Sequence, residues 1–283
     1  MIMNDENFID NVGGLTVRLE PDHVSWFDFL WFSRNTRAKN GGWNSKTHWW
    51  EKGVLKLAGD TTGFVAKWTR RSLESQKNNR YLPPLRTGEF KFIRSDTEER
   101  GDLIKSLNKR VYPFQDATEN ELSFALYKEG LGKFERLDFV NLLGYEIPLS
   151  SESDGQLKVD LFGLSTDGGA LEIIEIKKAK NQGDSPLLAL TEAICYALQT
   201  LRCEESLLKE TQLANHEDAF KRINVTLLAP ASYWNYWDPA SDVESALKVI
   251  VEQVNAGIAD DNFDSKLELK LGKIEPMAPG PAA

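Results

Sequence analysis

The chain has 283 residues, of which 41% are hydrophobic and 27% are charged, the proportions of an ordinary soluble globular protein. No apolar run reaches the ~20 residues that span a bilayer. The acidic start MIMNDENFID lacks the basic-then-apolar order of a secretory signal, so we expect a cytoplasmic protein. With three histidines and two cysteines, a zinc site is not expected, and Cys195 and Cys203 are predicted to stay reduced.

The net charge of −9 conceals an uneven distribution along the chain. Residues 33–110 contain 18 lysines and arginines against 8 acidic residues, a local charge of +10, which leaves −19 for the remainder. Such segregation favours either a surface that faces a polyanion or a basic part that packs on an acidic part. The sequence leaves both interpretations open.

Tryptophan is concentrated in the same N-terminal part of the chain. Aromatic residues interleaved with Lys and Arg suit base stacking beside phosphate contacts, although tryptophan is more often used for packing. Because the character of the sequence changes near residue 110, we predict a basic, Trp-rich region over 1–110 that is a candidate nucleic-acid-binding domain, a second domain over 111–274 and a disordered Pro/Ala-rich tail over 275–283. The six tryptophans of the N-terminal region are Trp26, Trp31, Trp43, Trp49, Trp50 and Trp68.

Beyond residue 118 the sequence alternates between helical and strand periodicity. Apolar stripes at helical spacing predict three helices, and the second begins with an Asp/Ser cap and Pro186. Their order implies an α/β fold in which helices flank a mixed sheet. The predicted segments are a helix over 118–134, a strand over 145–150, a hairpin over 158–180, a helix over 184–202, a strand over 222–230, a loop over 231–241, a helix over 242–258 that ends at Gly257, and an edge strand over 266–274.

Charged residues stand inside the predicted hairpin KVDLFGLSTDGGALEIIEIKKAK, whose strands otherwise read as buried. A tight turn at Asp167-Gly168, the strongest two-residue hairpin signal, pairs residues whose numbers sum to 335. Asp160 then lies opposite Glu175, and Lys177 shares their face. Moving the turn by one residue pairs Asp160 with Lys177 and keeps all three on one face. Two carboxylates this close repel each other unless a cation lies between them.

The two faces of the hairpin distinguish two interpretations of these charges. A cross-strand ion-pair network would need a solvated face, whereas both faces are rich in apolar residues, as in an interior strand. A divalent metal explains the carboxylates better, and oxygen ligands favour a hard ion such as Mg²⁺ or Mn²⁺. Such an ion polarises a phosphate and lowers the pKa of water, while Lys177 would orient that water or steady a phosphate oxygen. This is the chemistry of phosphodiester hydrolysis.

The pattern of Asp160, fourteen residues and Glu175-Ile176-Lys177 resembles the PD-(D/E)XK nuclease superfamily, which has the restriction-endonuclease-like fold. That family carries the Asp on one strand and the E-x-K residues on the next, as the hairpin would here. Val159 stands where the family motif has Pro. The resemblance covers roughly residues 111–235. It implies a restriction-endonuclease-like mixed β-sheet flanked by helices, a metal held by Asp160 and Glu175, and a water positioned by Lys177.

Two helices carry further residues that match patterns of this family. ENELSFAL fits the family's E-x-x-L-x-x-x-L helix with Glu119 as its glutamate. Glu121 is a rival, but Thr118-x-x-Glu121 forms a capping box that gives Glu121 a structural role. Recombination exonucleases carry Q-x-x-x-Y on the helix after the E-x-K strand, and TEAICY offers Glu192 and Tyr196 at that spacing. These two residues are candidate supporting residues of the site.

The resemblance implies a metal-dependent nuclease that hydrolyses phosphodiester bonds, with DNA as the expected substrate. The alternative is a non-catalytic module of the same fold that binds nucleic acid or a protein partner. Lys178 and Lys180 extend a basic rim that would touch the phosphate backbone, unless they form a solvated strand end. Nucleases that cut both strands are often dimers, so a homodimer is compatible with this function.

Overall fold

The computed structural model describes the segments on which the sequence analysis depends, together with parts of the N-terminal region. The predicted boundary near residue 110, the tail over 275–283 and the residues Lys180, Trp43, Trp49 and Trp50 lie outside the described residues. The described residues are 9–12, 15–18, 22, 24–35, 63–74, 80–83, 85, 117–129, 140–150, 158–179, 183–209, 213–238, 242–261 and 263–274.

One mixed sheet of five strands organises the molecule, as the sequence predicts. Its strands lie side by side in chain order; the first three pair antiparallel and the last three pair in parallel. A separate antiparallel pair of strands precedes this sheet in the chain. The strands are β1 (Ile9–Val12) and β2 (Leu15–Arg18) in that pair, and β3 (Val140–Pro148), β4 (Lys158–Ser165), β5 (Leu171–Ile176), β6 (Arg222–Pro230) and β7 (Lys266–Ile274) in the mixed sheet.

The three helices predicted beyond residue 118 are confirmed. The second begins as expected, with Ser185 as its N-cap accepting a hydrogen bond from the Leu188 N–H and Pro186 in its first turn. The described helices are α1 (Trp26–Asn35), α2 (Phe64–Glu74), α3 (Glu119–Glu129), α4 (Pro186–Arg202), α5 (Glu204–Leu207), α6 (Ala231–Trp237) and α7 (Val243–Asp260), with a 3-10 helix at Glu217–Lys221.

The loop predicted over 231–241 is wrong in its first half, because α6 occupies residues 231–237. Tertiary contacts hold this short helix. The Trp234 indole donates a hydrogen bond to the Gly272 carbonyl at 2.9 Å, and the Tyr233 hydroxyl donates one to the Asp184 carbonyl at 3.0 Å. A seven-residue helix is marginal on local propensity alone, so periodicity could not reveal it.

The helix end predicted at Gly257 is also wrong, since α7 continues to Asp260. Gly257 does not cap α7; it allows α7 and α2 to approach each other closely. A Cβ built on Gly257 would stand 2.3 Å from the carbonyl oxygen of Ala66 in α2 and 2.7 Å from the Thr69 side chain. Only a residue without a side chain permits this packing of α2 on α7.

The predicted register of the hairpin is confirmed for the four pairs that form, but the predicted pair of Asp160 with Glu175 is not among them. Leu161 pairs with Ile174 and Leu164 with Leu171, so the paired numbers sum to 335. The connection differs from the two-residue turn: Ser165 and Ala170 close a four-residue loop in which Gly168 has φ of 70°. Both loops are centred on the same peptide, so the longer one leaves the register unchanged.

Two apolar layers cover the two faces of the mixed sheet. Residues such as Phe162 and Ile173 belong to the larger layer, which also contains α1, α2, α4 and α7. Leu161 and Ile174 belong to the smaller layer, which includes α3. Helix α4 crosses from β5 to its parallel neighbour β6 and is buried along nearly its whole length. The hairpin strands are therefore interior on both faces, which their composition predicts.

The described N-terminal helices pack into the larger layer. α1 contacts α4, and α2 contacts α7. Trp26 and Trp68 are buried, and the Trp68 ring lies 4.6 Å from the Phe29 ring between centroids. For these two tryptophans the packing interpretation holds.

Two smaller predictions can be compared with the described residues. Cys195 and Cys203 are buried and form no disulfide within the part of the chain that the structure describes. Among the described helices, none is both long and apolar enough to cross a membrane.

Candidate active site

The candidate site lies at the end of the hairpin, where β4 and β5 stop pairing. The last pair of this ladder is Leu161 with Ile174. The Ile176 N–H beyond it donates to Asp160 Oδ2 at 2.7 Å, while the Lys177 N–H donates to the Leu228 carbonyl of β6 at 2.9 Å. The side chain of Asp160 thus replaces a backbone partner, and β5 stays paired with β6 alone.

Lys177 connects the hairpin to α4. Its ammonium lies 2.7 Å from Glu175 Oε1 and 2.6 Å from Glu192 Oε2. Glu175 and Lys177 are 4% and 5% exposed, whereas the Glu192 side chain is 24% exposed. Buried charges persist only when they are paired, and Lys177 supplies that pairing to two carboxylates at once.

Helix α3 brings Glu119 to the same place. The backbone N–H of Lys178 donates to Glu119 Oε1 at 3.4 Å. Glu121, the rival for this role, forms the predicted capping box: its Oε2 accepts from the Thr118 N–H at 2.8 Å, and its own N–H donates to the Thr118 hydroxyl at 3.3 Å. Of the two glutamates, Glu119 is therefore the one beside the hairpin end.

The charges of this cluster perturb one another. Loss of solvation raises the pKa of Asp160 to about 7, against the opposing effects of Lys177 and the Ile176 N–H. Burial, followed by the charge of Asp160, raises the pKa of Glu175 well above its ordinary value. Burial opposes the charged form of Lys177, but Glu175 and Glu192 outweigh it and raise its pKa well above the usual range. Lys177 is therefore a permanent cation.

Negative charge is in excess at this site. Four carboxylates, those of Glu119, Asp160, Glu175 and Glu192, act on the single ammonium of Lys177 among the described residues. Burial is the main cause of the raised pKa values of Asp160 and Glu175, and the neighbouring carboxylates add to it. Perturbed pKa values of this kind are typical of functional sites.

The donor set at the hairpin end fits a hard divalent cation in its chemistry. Asp160 and Glu175 offer carboxylate oxygens, and Glu175 Oε2 is buried without a hydrogen-bond partner among the described residues. Two carboxylates are fewer than a complete protein ligand shell: in the described part of the chain, no three His, Cys, Asp or Glu side chains form a metal-binding group. A Mg²⁺ site of two carboxylates with waters is compatible with this finding.

Two tyrosines lie within the electrostatic reach of the cluster. Burial raises the pKa of Tyr196 well above its ordinary value, with further contributions from Glu175 and Glu192. Tyr233 of α6 has a raised pKa for the same first reason, and Lys177 opposes that shift. Tyr233 was not predicted from the sequence. Its position soon after the end of β6 could have indicated it. The carboxyl ends of the parallel strands β5 and β6 lie at the same edge of the sheet, so residues that follow β6 lie near the end of β5.

The structure brings together five of the residues predicted from the sequence, and Tyr196 adjoins them. Lys178 is exposed and contributes a backbone N–H to the cluster, whereas Lys180 lies outside the described residues. The five residues are Glu119, Asp160, Glu175, Lys177 and Glu192.

Comparisons with known proteins add no family assignment. A scan of family models, a search of curated proteins and a search of solved structures each find no match to this chain.

Proposed function

We propose that this protein is a metal-dependent nuclease of the restriction-endonuclease-like fold, which hydrolyses phosphodiester bonds in DNA. The proposal places it in the cytoplasm and allows a homodimer. One observation carries it: at a buried hairpin end the Lys177 ammonium pairs with Glu175 and Glu192, while Asp160 and Glu119 accept hydrogen bonds from the adjoining backbone. Four carboxyl groups thus share the site with one ammonium, a set that a divalent cation would complement.

The surrounding architecture supports this proposal. The order of α3, β3, β4, β5, α4 and β6 agrees with the order on which the sequence resemblance rests. Asp160 near the start of β4, and Glu175 and Lys177 at the end of β5, stand where that resemblance requires them. The site also lies at the carboxyl end of a parallel strand, where open α/β sheets bind their ligands.

The proposed roles follow from the state of each side chain. Asp160 and Glu175 would hold Mg²⁺ or Mn²⁺, which when bound supplies Lewis-acid polarisation of the phosphate and lowers the pKa of water. Lys177 remains protonated, so it donates hydrogen bonds to a phosphate oxygen or to the attacking water and does not act as a base. Glu119 reaches the site from α3, where its Oε1 accepts from the Lys178 N–H, and would assist in holding that water.

Cleavage assays on the full chain test this proposal. We expect the protein to degrade plasmid, linear duplex or single-stranded DNA with Mg²⁺ and to lose this activity with a chelator. D160N should abolish cleavage. D167N is the matched control, because Asp167 lies on the same hairpin in an exposed loop, with a side chain 69% exposed.

Two results would contradict the proposal. Mg²⁺-dependent cleavage that persists in both D160N and K177A would remove these residues from the chemistry. Nucleic-acid binding without cleavage on every substrate, and without uptake of Mg²⁺ or Mn²⁺ in calorimetry, would instead indicate the non-catalytic module.

A further inference from the structure

Lys177 is shared between a proposed metal ligand and a residue outside the hairpin. Its ammonium contacts Glu175 Oε1 at 2.7 Å and Glu192 Oε2 at 2.6 Å. The Lys177 ammonium and a divalent metal ion would both bind the Glu175 carboxylate. Lys177 therefore competes with the metal for the Glu175 carboxylate, unless another anion also binds the Lys177 ammonium.

Glu192 is that anion, and its position is fixed. It projects from α4, whose start is held by the Ser185 cap and whose side chains are otherwise almost all buried. Thr191 beside it is anchored twice, to the Leu187 carbonyl and to the Ser33 hydroxyl, each at 2.8 Å. The helix cannot turn Glu192 toward or away from the hairpin without disrupting this packing.

The other end of the ion pair is equally constrained. The Lys177 N–H donates a hydrogen bond to the Leu228 carbonyl of β6, which holds the backbone from which the Lys177 side chain extends. Its two contacts leave Glu175 Oε2 buried and without a hydrogen-bond partner among the described residues. Glu175 thus keeps one oxygen that Lys177 does not occupy.

We infer that Glu192 is a positioning residue that draws the Lys177 ammonium partly off Glu175 and so keeps Glu175 available to the metal. This inference rests on the proposed function, because it assigns Glu192 a role toward the same metal. Although the charge of Glu192 also acts directly on Glu175, the inference assigns most of its effect on metal binding to Lys177, so that effect should fall sharply when Lys177 is replaced.

A double-mutant cycle read by metal binding tests this inference. The full chain is titrated with Mn²⁺ alone in a calorimeter, without nucleic acid, for the wild type, E192Q, K177M and the double variant. We expect E192Q to weaken Mn²⁺ binding about tenfold in the wild-type background and less than about twofold in the K177M background, since residues acting as one unit are not additive.

The controls separate the possible failures. E244Q removes one glutamate from a Glu–Lys pair on α7 that has a 2.9 Å contact and a side chain 47% exposed, and it should leave Mn²⁺ affinity unchanged. Circular dichroism checks folding, and K177Q replaces K177M if the latter does not fold.

Equal losses from E192Q in both backgrounds would show a direct effect of its charge and overturn the inference. No loss from E192Q in the wild-type background would overturn it as well. Failure of the wild type to bind Mn²⁺ would instead refute the proposed function on which the inference rests.

Discussion

Strand β5 carries two buried glutamates, three residues apart, that belong to opposite layers of the protein. Glu172 is fully buried, and its Oε1 accepts from the Asn224 amide at 2.5 Å and from the Lys270 ammonium at 3.2 Å. Glu175 is 4% exposed, and its Oε1 accepts from the Lys177 ammonium at 2.7 Å. Each has an Oε2 that is buried and unpartnered among the described residues. Neither burial nor an unpartnered oxygen distinguishes the two.

The balance of charge does distinguish them. Burial raises the pKa of Glu172, and the charges that oppose this rise are those of Lys270 and Arg222, both positive. Burial also raises the pKa of Glu175, and there the charges of Asp160 and Glu192 reinforce the rise while Lys177 opposes it. The charged neighbours of Glu172 are all positive and offset part of the cost of its burial, whereas Glu175 has acidic neighbours as well as one ammonium. Only the second site gains from an added cation.

The largest expected difference is between E175Q and E172Q. E175Q should lower cleavage by about 10³-fold, because several kcal/mol of metal-derived stabilisation are lost, and leave the free energy of unfolding unchanged or higher. E172Q should retain cleavage and lower the free energy of unfolding by no more than about 1 kcal/mol, because burial already raises the pKa of Glu172 and its partner Lys270 is half-buried. Cleavage assays and urea denaturation with a chelator measure both. Loss of cleavage in E172Q with normal stability would contradict the assignment of Glu175, and not Glu172, to the active site.

The second prediction concerns pH and the surplus of acid. The pKa of Asp160 is about 7 in the fold, against 3.8 for an unperturbed Asp, so the folded state binds the proton more tightly. The stability contributed by Asp160 in metal-free protein is therefore fully present below pH 4 and lost as pH rises through 7. The slope is at most about 1.4 kcal/mol per pH unit.

D160N removes this titration. Relative to the wild type, D160N should gain stability between pH 5 and pH 8 in urea denaturation with a chelator. D167N serves as the control. The Ser165 hydroxyl, followed by the Gly169 N–H, lowers the pKa of Asp167, so D167N should leave the pH dependence between pH 5 and pH 8 unchanged. An identical pH dependence in the wild type and D160N would show that the fold does not raise the pKa of Asp160.

The smallest expected effects separate the two glutamates of α3 in the same way. E121A removes the capping-box partner of Thr118 and should cost about 0.5–1 kcal/mol of stability, with cleavage retained. E119A should lower cleavage about tenfold and change stability little, because Glu119 faces the surplus of acid. Exchange of these two outcomes would make Glu121 the helix glutamate of the site.

The hairpin half of the site could be predicted because its geometry is local. Side chains alternate with a period of two, and the Asp167-Gly168 signal fixed the centre of the turn, so Asp160, Glu175 and Lys177 were placed on one face. The four-residue loop did not disturb this, since it extends the predicted two-residue turn by one residue on each side.

Long-range contacts could not be read from periodicity. The 2.6 Å contact between Lys177 and Glu192 depends on how α4 packs against the sheet. The α6 helix depends on hydrogen bonds from Trp234 and Tyr233 to distant carbonyls. Gly257 was predicted to end a helix because glycine is common at helix ends. The structure gives another reason for glycine at this position, which is the close approach of the Ala66 backbone.

The contact between Ala66 and Gly257 has a consequence for synthesis of the chain. Ribosomes add about 5 to 20 residues per second, so α2 emerges on the order of 10 s or more before α7 is complete. During that interval α2, whose buried residues include Phe64, Val65 and Trp68, lacks one of the helices that it contacts in the folded protein. The nascent chain is therefore exposed to chaperones and to aggregation until α7 has been translated.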